Sequence, residues 1–211
     1  DFITGVPDSL LKEFNACVLN EHPKNKHIIA PNEGTSIGLA IGNYISTGKV
    51  PTVYMQNSGI GNAVNPLMSL ADRDVYGVPM LVIIGWRGEP GVKDEPQHFK
   101  HVLIQEELLK AMQLDYRILD SENLQWSALL DELYSSAVTD QCPKVLLVRK
   151  GTFDSYISNA GEPLELESRE SAINTVIDGL GKDSIFIGTT GKASRELFEL
   201  RVTRGESHEN D

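Results

Sequence analysis

Two cysteines in 211 residues rule out a disulfide framework, and Cys17 and Cys142 lack metal-ligand spacing. No apolar run approaches the ~20 residues that span a bilayer, and no secretory signal pattern opens the chain. Positive charge is scarce: 19 Lys and Arg stand against 30 Asp and Glu, for a net charge of −11. The two signs are mixed along the chain, so there is no basic patch of the kind a nucleic-acid surface needs. There is no internal repeat and no low-complexity tract. These absences leave a reduced, cytoplasmic setting as the expectation, with neither nucleic acid nor membrane as partner. The chain does not open on Met and stops at His208-Glu209-Asn210-Asp211 without a structural ending, so a fragment missing both ends is expected. What is present is an ordinary 40% of apolar residues, enough for a packed core in one large domain or one and a half average ones.

Short apolar runs alternate with helical periods. A strand at 2–7 turns through Pro7 into a helix over 10–20, for which Asp8 or Ser9 is the expected cap. A strand at 28–30 precedes a helix over 35–46 that ends on Gly48 as a left-handed cap. The strand 51–56 feeds a Gly-rich turn, Asn57-Ser58-Gly59-Ile60-Gly61-Asn62, opening a helix to about 70. Residues 78–85 form a continuous apolar run, as a strand covered on both faces requires. The segment 86–98 has no periodicity and carries Trp86, Arg87 and His98; a loop that long is usually functional or disordered. Helices over 102–112 and 124–139 and strands at 116–119 and 143–148 complete the unit. Such alternation implies an α/β fold, a doubly wound parallel sheet flanked by helices. The expected organisation is a first domain over 1–152, a linker over 153–167, and the incomplete beginning of a second α/β domain over 168–211. That second part should hold a helix to 180, a strand at 184–189 and a further helix from the turn at 190–194.

The organising stretch is Ala30-Pro31-Asn32-Glu33-Gly34-Thr35-Ser36-Ile37-Gly38-Leu39-Ala40-Ile41-Gly42. It puts one carboxylate at a strand-to-helix turn, where open α/β sheets bind ligands. Gly costs about 1 kcal/mol per helical position relative to Ala, so several together suggest close approach of a backbone or a ligand, although packing alone could account for them. Glu33 has an equally good structural explanation, since an acid in the first turn favours the helix dipole. The turn at Gly59 lacks the third glycine and the following acid of a dinucleotide fold, and Lys192 lacks the spacing of a phosphate loop. Both are better explained as tight strand-to-helix turns.

Taken together, the strand, Asn-Glu-Gly, the small-residue helix and the later Gly-x-Gly-x-Asn resemble the pyrimidine-binding domain of thiamine-diphosphate enzymes. Residues 3–12 (Ile-Thr-Gly-Val-Pro-Asp-Ser-Leu-Leu-Lys), 54–66, 85–98 and 189–197 resemble the phosphonopyruvate decarboxylase family, to which sulfopyruvate decarboxylases are close. The resemblance implies decarboxylation of 3-phosphonopyruvate to phosphonoacetaldehyde, a step in phosphonate biosynthesis; the alternatives are an alpha-type subunit of a sulfopyruvate decarboxylase or a non-catalytic relative that binds thiamine diphosphate or an anion. It implies Glu33 on the aminopyrimidine ring nitrogen, with Gly59, Ile60, Gly61 and Asn62 against the ring. Asp8, Ser9, Arg87, Gln97 and His98 are the candidates at the substrate end, His98 also as a proton shuttle. Arg87 or Lys93 could hold the phosphonate, or could instead pair with Glu89 or Asp94. The family holds its diphosphate through Mg2+ on a Gly-Asp-Gly motif in a second domain. No such motif occurs here, so the metal site is expected in a missing domain or a partner chain, in a homo-oligomer with active sites between subunits. A small-molecule 2-oxoacid is the expected substrate, and this polypeptide alone is expected to be nearly inactive.

Overall fold

The computed structural model describes residues 2–89, 91, 96–123, 125–157, 166–180, 184–188 and 191–207, with backbone alone at 96–99 and 102. The chain forms two compact units, 1–159 and 160–211.

The first unit is a six-stranded, wholly parallel sheet. Its strands are β1 (Ile3–Gly5), β2 (His27–Ile29), β3 (Thr52–Gln56), β4 (Met80–Gly85), β5 (Tyr116–Leu119) and β6 (Pro143–Val148), in the order β2-β1-β3-β4-β6-β5. The connecting helices are α1 (Lys12–Glu21), α2 (Glu33–Thr47), α3 (Ile60–Pro66), α4 (Pro96–Ala111) and α5 (Trp126–Asp140). This is the doubly wound α/β architecture expected. The period of two along each strand sorts the core into two layers. Val53, Met55, Val82 and Ile84 face Ile37, Ile41, Ala63 and Leu109 of α2, α3 and α4. Tyr54, Ile83 and Leu146 face the opposite way, toward Leu11 and Leu133 beside α1 and in α5. The central strands β4 and β6 are therefore apolar almost throughout. Each face of the sheet has a helical cover, and no polar alternation is tolerated.

The order of the strands fixes where a ligand can sit. From β1 the chain steps outward to β2, then returns to β3 on the other side of β1. Helix α1 covers one face and α2 the other. The carboxyl ends of β1, β2 and β3 thus open at a switch point, where the connections diverge and leave a crevice.

Several local expectations change. Asp8 and Ser9 do not cap α1: the helix starts at Lys12, the cap position is Leu11, and no side-chain cap bond is made. Asp8 is instead buried, its carboxylate pressed to Gly85, where an added Cβ would lie 2.3 Å from Oδ2. Helix α2 begins at Glu33 rather than Thr35. Asn32 Oδ1 accepts the Thr35 N–H at 2.8 Å and supplies the cap. Helix α3 gives way after Pro66 to a wide π turn at Leu67–Ala71, because proline cannot donate to the preceding turn. The aperiodic segment ends earlier than expected: α4 already runs from Pro96, and it takes in Gln97 and His98.

At the far end of the sheet, Lys144 is 2% exposed yet charged. Its ammonium bonds Asp115 and Asp140, both at 2.5 Å. Bonds from Lys144 and then Ser136 hold the Asp140 carboxyl below its ordinary value. A depressed folded-state value stabilises the fold above the unfolded value and loses that contribution as pH falls through the folded one. Asp140→Asn is therefore expected to lower the thermal midpoint at neutral pH. The gap from wild type should close as pH is taken below the ordinary Asp value of 3.8. A midpoint difference that persists unchanged in acid would show that the charge plays no part.

The second unit has α6 (Arg169–Leu180) and α7 (Lys192–Thr203). Arg169 pairs with Glu196 through two bonds of 2.6 Å. The expected strand at 184–189 is not formed over 184–188, and residue 189 lies outside the described residues; Ile185 and Ile187 are exposed. A strand needs a neighbour to satisfy its N–H and C=O groups, and the described residues of this unit offer none.

Candidate functional site

Glu33 opens α2 immediately beyond the carboxyl end of β2. Its carboxylate is half-buried and accepts the Asn62 side-chain N–H on Oε2 at 2.8 Å. The other carboxylate oxygen lies over the turn at the end of β3. A Cβ added to Gly59 would stand 2.3 Å from Oε1 and 2.4 Å from Cδ. The reverse contact involves Gly34, where a Cβ would stand 2.7 Å from the Asn62 carbonyl oxygen. Glycine on each turn therefore lets the starts of α2 and α3 interlock, and the interlock fixes the carboxylate. Of the turn residues proposed against a ring, Ile60 is buried in the core while Gly61 and Asn62 face outward. A Cβ on Gly61 would meet nothing within 4 Å.

The neighbouring turns carry the second set of candidates. Arg87, just past β4, donates from Nη1 to Ser9 Oγ at 3.2 Å. Its backbone is gripped by Asn57, which is fully buried. The Asn57 amide donates to the Arg87 carbonyl at 3.0 Å, and its oxygen accepts the Arg87 N–H at 3.3 Å. Asn57 stands two residues before Gly59, so one short turn contacts both Glu33 and Arg87. Asn57 escaped the sequence analysis, where it reads as the polar start of a Gly-rich turn. Its only signal is its place directly after a buried strand.

The structure thus brings Glu33, Gly59 and Asn62 together, and Ser9 together with Arg87. Asp8 lies beneath the second group, against Gly85. Gln97 and His98 fall on the first turn of α4, and their side chains are outside the described residues, as is Lys93 altogether. Among the described residues, no group of three His, Cys, Asp or Glu is placed to hold a metal ion. No helix among them is long and apolar enough to cross a membrane.

The geometry of a lone carboxylate over a glycine turn suits an aromatic ring nitrogen that must share a proton. The Glu33 side chain fills the space that a Cβ at Gly59 would take, and Gly61 leaves open space beside it. Residues 1–113 match the family described as thiamine pyrophosphate enzyme, N-terminal TPP binding domain. The chain is 28% identical to phosphonopyruvate decarboxylase of Streptomyces viridochromogenes over 94% of its own length and 53% of that protein's. It is 41% identical to sulfopyruvate decarboxylase subunit alpha of Methanocaldococcus jannaschii, over 42% of the chain and 50% of the subunit. Benzoylformate decarboxylase from Polynucleobacter necessarius shares the fold, with a TM-score of 0.55 and 16% identity over 84% of this chain and 33% of that one. The chain spans about half the length of the curated relatives it matches. Through its first 113 residues it belongs to the family of thiamine pyrophosphate enzyme N-terminal domains.

Proposed function

We propose that this chain provides the pyrimidine-binding part of a thiamine-diphosphate-dependent 2-oxoacid decarboxylase, and that its substrate is 3-phosphonopyruvate. The products are phosphonoacetaldehyde and CO2, and the step belongs to phosphonate biosynthesis. The observation that carries this is the Glu33 carboxylate, held by Asn62 over the bare backbone of Gly59 at the sheet's switch point. The substrate choice is supported by the similarity to phosphonopyruvate decarboxylase over 94% of the chain. The likeness to the sulfopyruvate subunit covers 42% of it, and that to a sulfopyruvate decarboxylase of Methanosarcina acetivorans covers 81% at 26% identity.

Thiamine diphosphate, when bound, supplies a carbon nucleophile and a sink for the electron pair left by CO2 loss. The chain's own residues position and protonate. Glu33 would accept a hydrogen bond from the cofactor's ring nitrogen, and its charge is worth more in a partly dry turn than in water. Asn62 keeps the carboxylate from swinging into solvent. Gly59 leaves the carboxylate its place, and Gly61 leaves open space beside it for the ring. Ser9 and Arg87 orient the anionic substrate, and Gln97 and His98 join them at that end. His98 returns the proton that replaces CO2. Mg2+ and the diphosphate would be held by a further domain or by a partner subunit in an oligomer; among the described residues no group of three His, Cys, Asp or Glu is placed to hold a metal ion.

The test is CO2 release by the full-length protein with thiamine diphosphate and Mg2+, offered phosphonopyruvate, sulfopyruvate and pyruvate in turn. The expected result is cofactor-dependent turnover with the highest kcat/KM for phosphonopyruvate. Preference for sulfopyruvate by tenfold or more would overturn the substrate assignment. Cofactor-independent or absent turnover would overturn the activity.

A further inference from the structure

A cleft of about 370 Å³ opens where the turns after β1, β4 and β6 meet. Its lining includes Ser9, Arg87 and Lys150, and cationic side chains outnumber acids there by three to two, in a chain of net charge −11. Glu13 is engaged, whereas the buried Glu89 Oε2 makes no hydrogen bond among the described residues. Glu13 accepts the Tyr156 backbone N–H at 2.7 Å and the Lys12 ammonium at 3.0 Å, and these two contacts hold its carboxyl below the ordinary range. Glu89 faces Arg149 at 3.6 Å. Lys150, by contrast, makes no ion pair or hydrogen bond among the described residues. Across the cleft the Arg87 guanidinium meets the Ser9 hydroxyl, a planar donor fork beside a neutral donor.

We propose that the cleft lined by Ser9, Arg87 and Lys150 binds the tetrahedral anion at the end of the substrate and selects a dianion over a monoanion, with Asn57 as the positioning residue that holds Arg87 in register. The assignment rests on the decarboxylase reading above. A guanidinium recognises an oxyanion by direction, an ammonium by charge. A second cation therefore rewards the second negative charge of a phosphonate, which a sulfonate lacks. Asn57 acts through the Arg87 backbone. Its side-chain amide exchanges two hydrogen bonds with that backbone, and it sits on the turn that also presents Gly59 to Glu33.

The experiment uses the full-length protein at a pH where a phosphonate has lost both protons. Methylphosphonate and methanesulfonate are the probes, with binding followed by calorimetry in the absence of turnover. Wild type should bind methylphosphonate the more tightly. Lys150→Met should weaken methylphosphonate by about ten- to a hundredfold and methanesulfonate by much less, erasing the preference. Lys110→Met, which removes a surface cation paired with Glu107, controls for the general field and should change neither. Asn57→Ala should raise KM for the 2-oxoacid by tenfold or more and leave kcat within about threefold. Should that variant fold poorly, Arg87→Lys, which keeps the charge and loses the fork, must weaken both probes. Equal effects of Lys150→Met on the two probes, or none, would overturn the cleft assignment, as would a fall in kcat without a rise in KM for Asn57→Ala. Because the probes report binding alone, these failures leave the decarboxylase reading standing. Loss of phosphonopyruvate turnover in wild type would remove that reading by itself.

Discussion

Glu33→Gln is expected to cut decarboxylation by the full-length, cofactor-loaded protein by about 10²- to 10⁴-fold, the range attached to a general acid–base contact, while the chain folds as before. The amide keeps the shape and an oxygen for the Asn62 N–H. It loses the charge that favours a proton on the ring nitrogen. The structural cost is limited to one hydrogen bond's rearrangement and to the loss of an acid from the first turn of α2, worth roughly 0.3–1 kcal/mol. Circular dichroism and the thermal midpoint should therefore stay near those of wild type. The dipole explanation of Glu33 makes the opposite forecast: a small fall in stability and unchanged turnover. Measuring kcat and the midpoint on one preparation separates the two, and a variant of wild-type activity would remove Glu33 from the chemistry.

The legible parts of this molecule are those where local pattern and tertiary environment demand the same residues. Met80–Gly85 and Pro143–Val148 are almost wholly apolar because helices cover both faces of the sheet, and the run itself announces this. Gly48 at φ 69° closes α2 as a left-handed cap, a requirement written in one residue. Glu33 and Gly59 each read equally well as turn residues, and only the family resemblance put them on one candidate site; the structure sets the two side by side. Less legible is whatever depends on a distant partner. Asp8 looks like a helix cap. It is buried because Gly85, 77 positions on, leaves room for its carboxylate. Asn57 looks like a turn residue, and its partner is the backbone of Arg87. Residues 184–188 carry the pattern of a strand. Pattern creates the propensity, but only a neighbouring strand can realise it.

Gly59→Ala tests whether the room around the carboxylate matters as much as the carboxylate. The backbone at Gly59 has φ −73° and ψ −14°, a conformation that alanine adopts freely. By conformational entropy alone the change would stabilise the fold by about 0.4–1 kcal/mol. Space decides otherwise: the new Cβ would fall 2.3 Å from Glu33 Oε1 and 2.6 Å from Cγ. What stands in the way is a flexible side chain rather than backbone, so the carboxylate swings aside and the fold persists with little change in midpoint. Catalysis does not survive as well, because a misplacement of about 1 Å at a reacting group costs on the order of 10²-fold. Gly61→Ala is the contrast in the same helix: its Cβ meets nothing, and the free protein should be as stable as wild type or slightly more so. The decisive measurement is the double variant Gly59→Ala with Glu33→Gln. If Gly59 acts only by leaving Glu33 its place, the two losses do not multiply, and the double variant is no slower than Glu33→Gln alone. Multiplying losses would mean that the glycine serves the ring directly, with its own backbone as the contact.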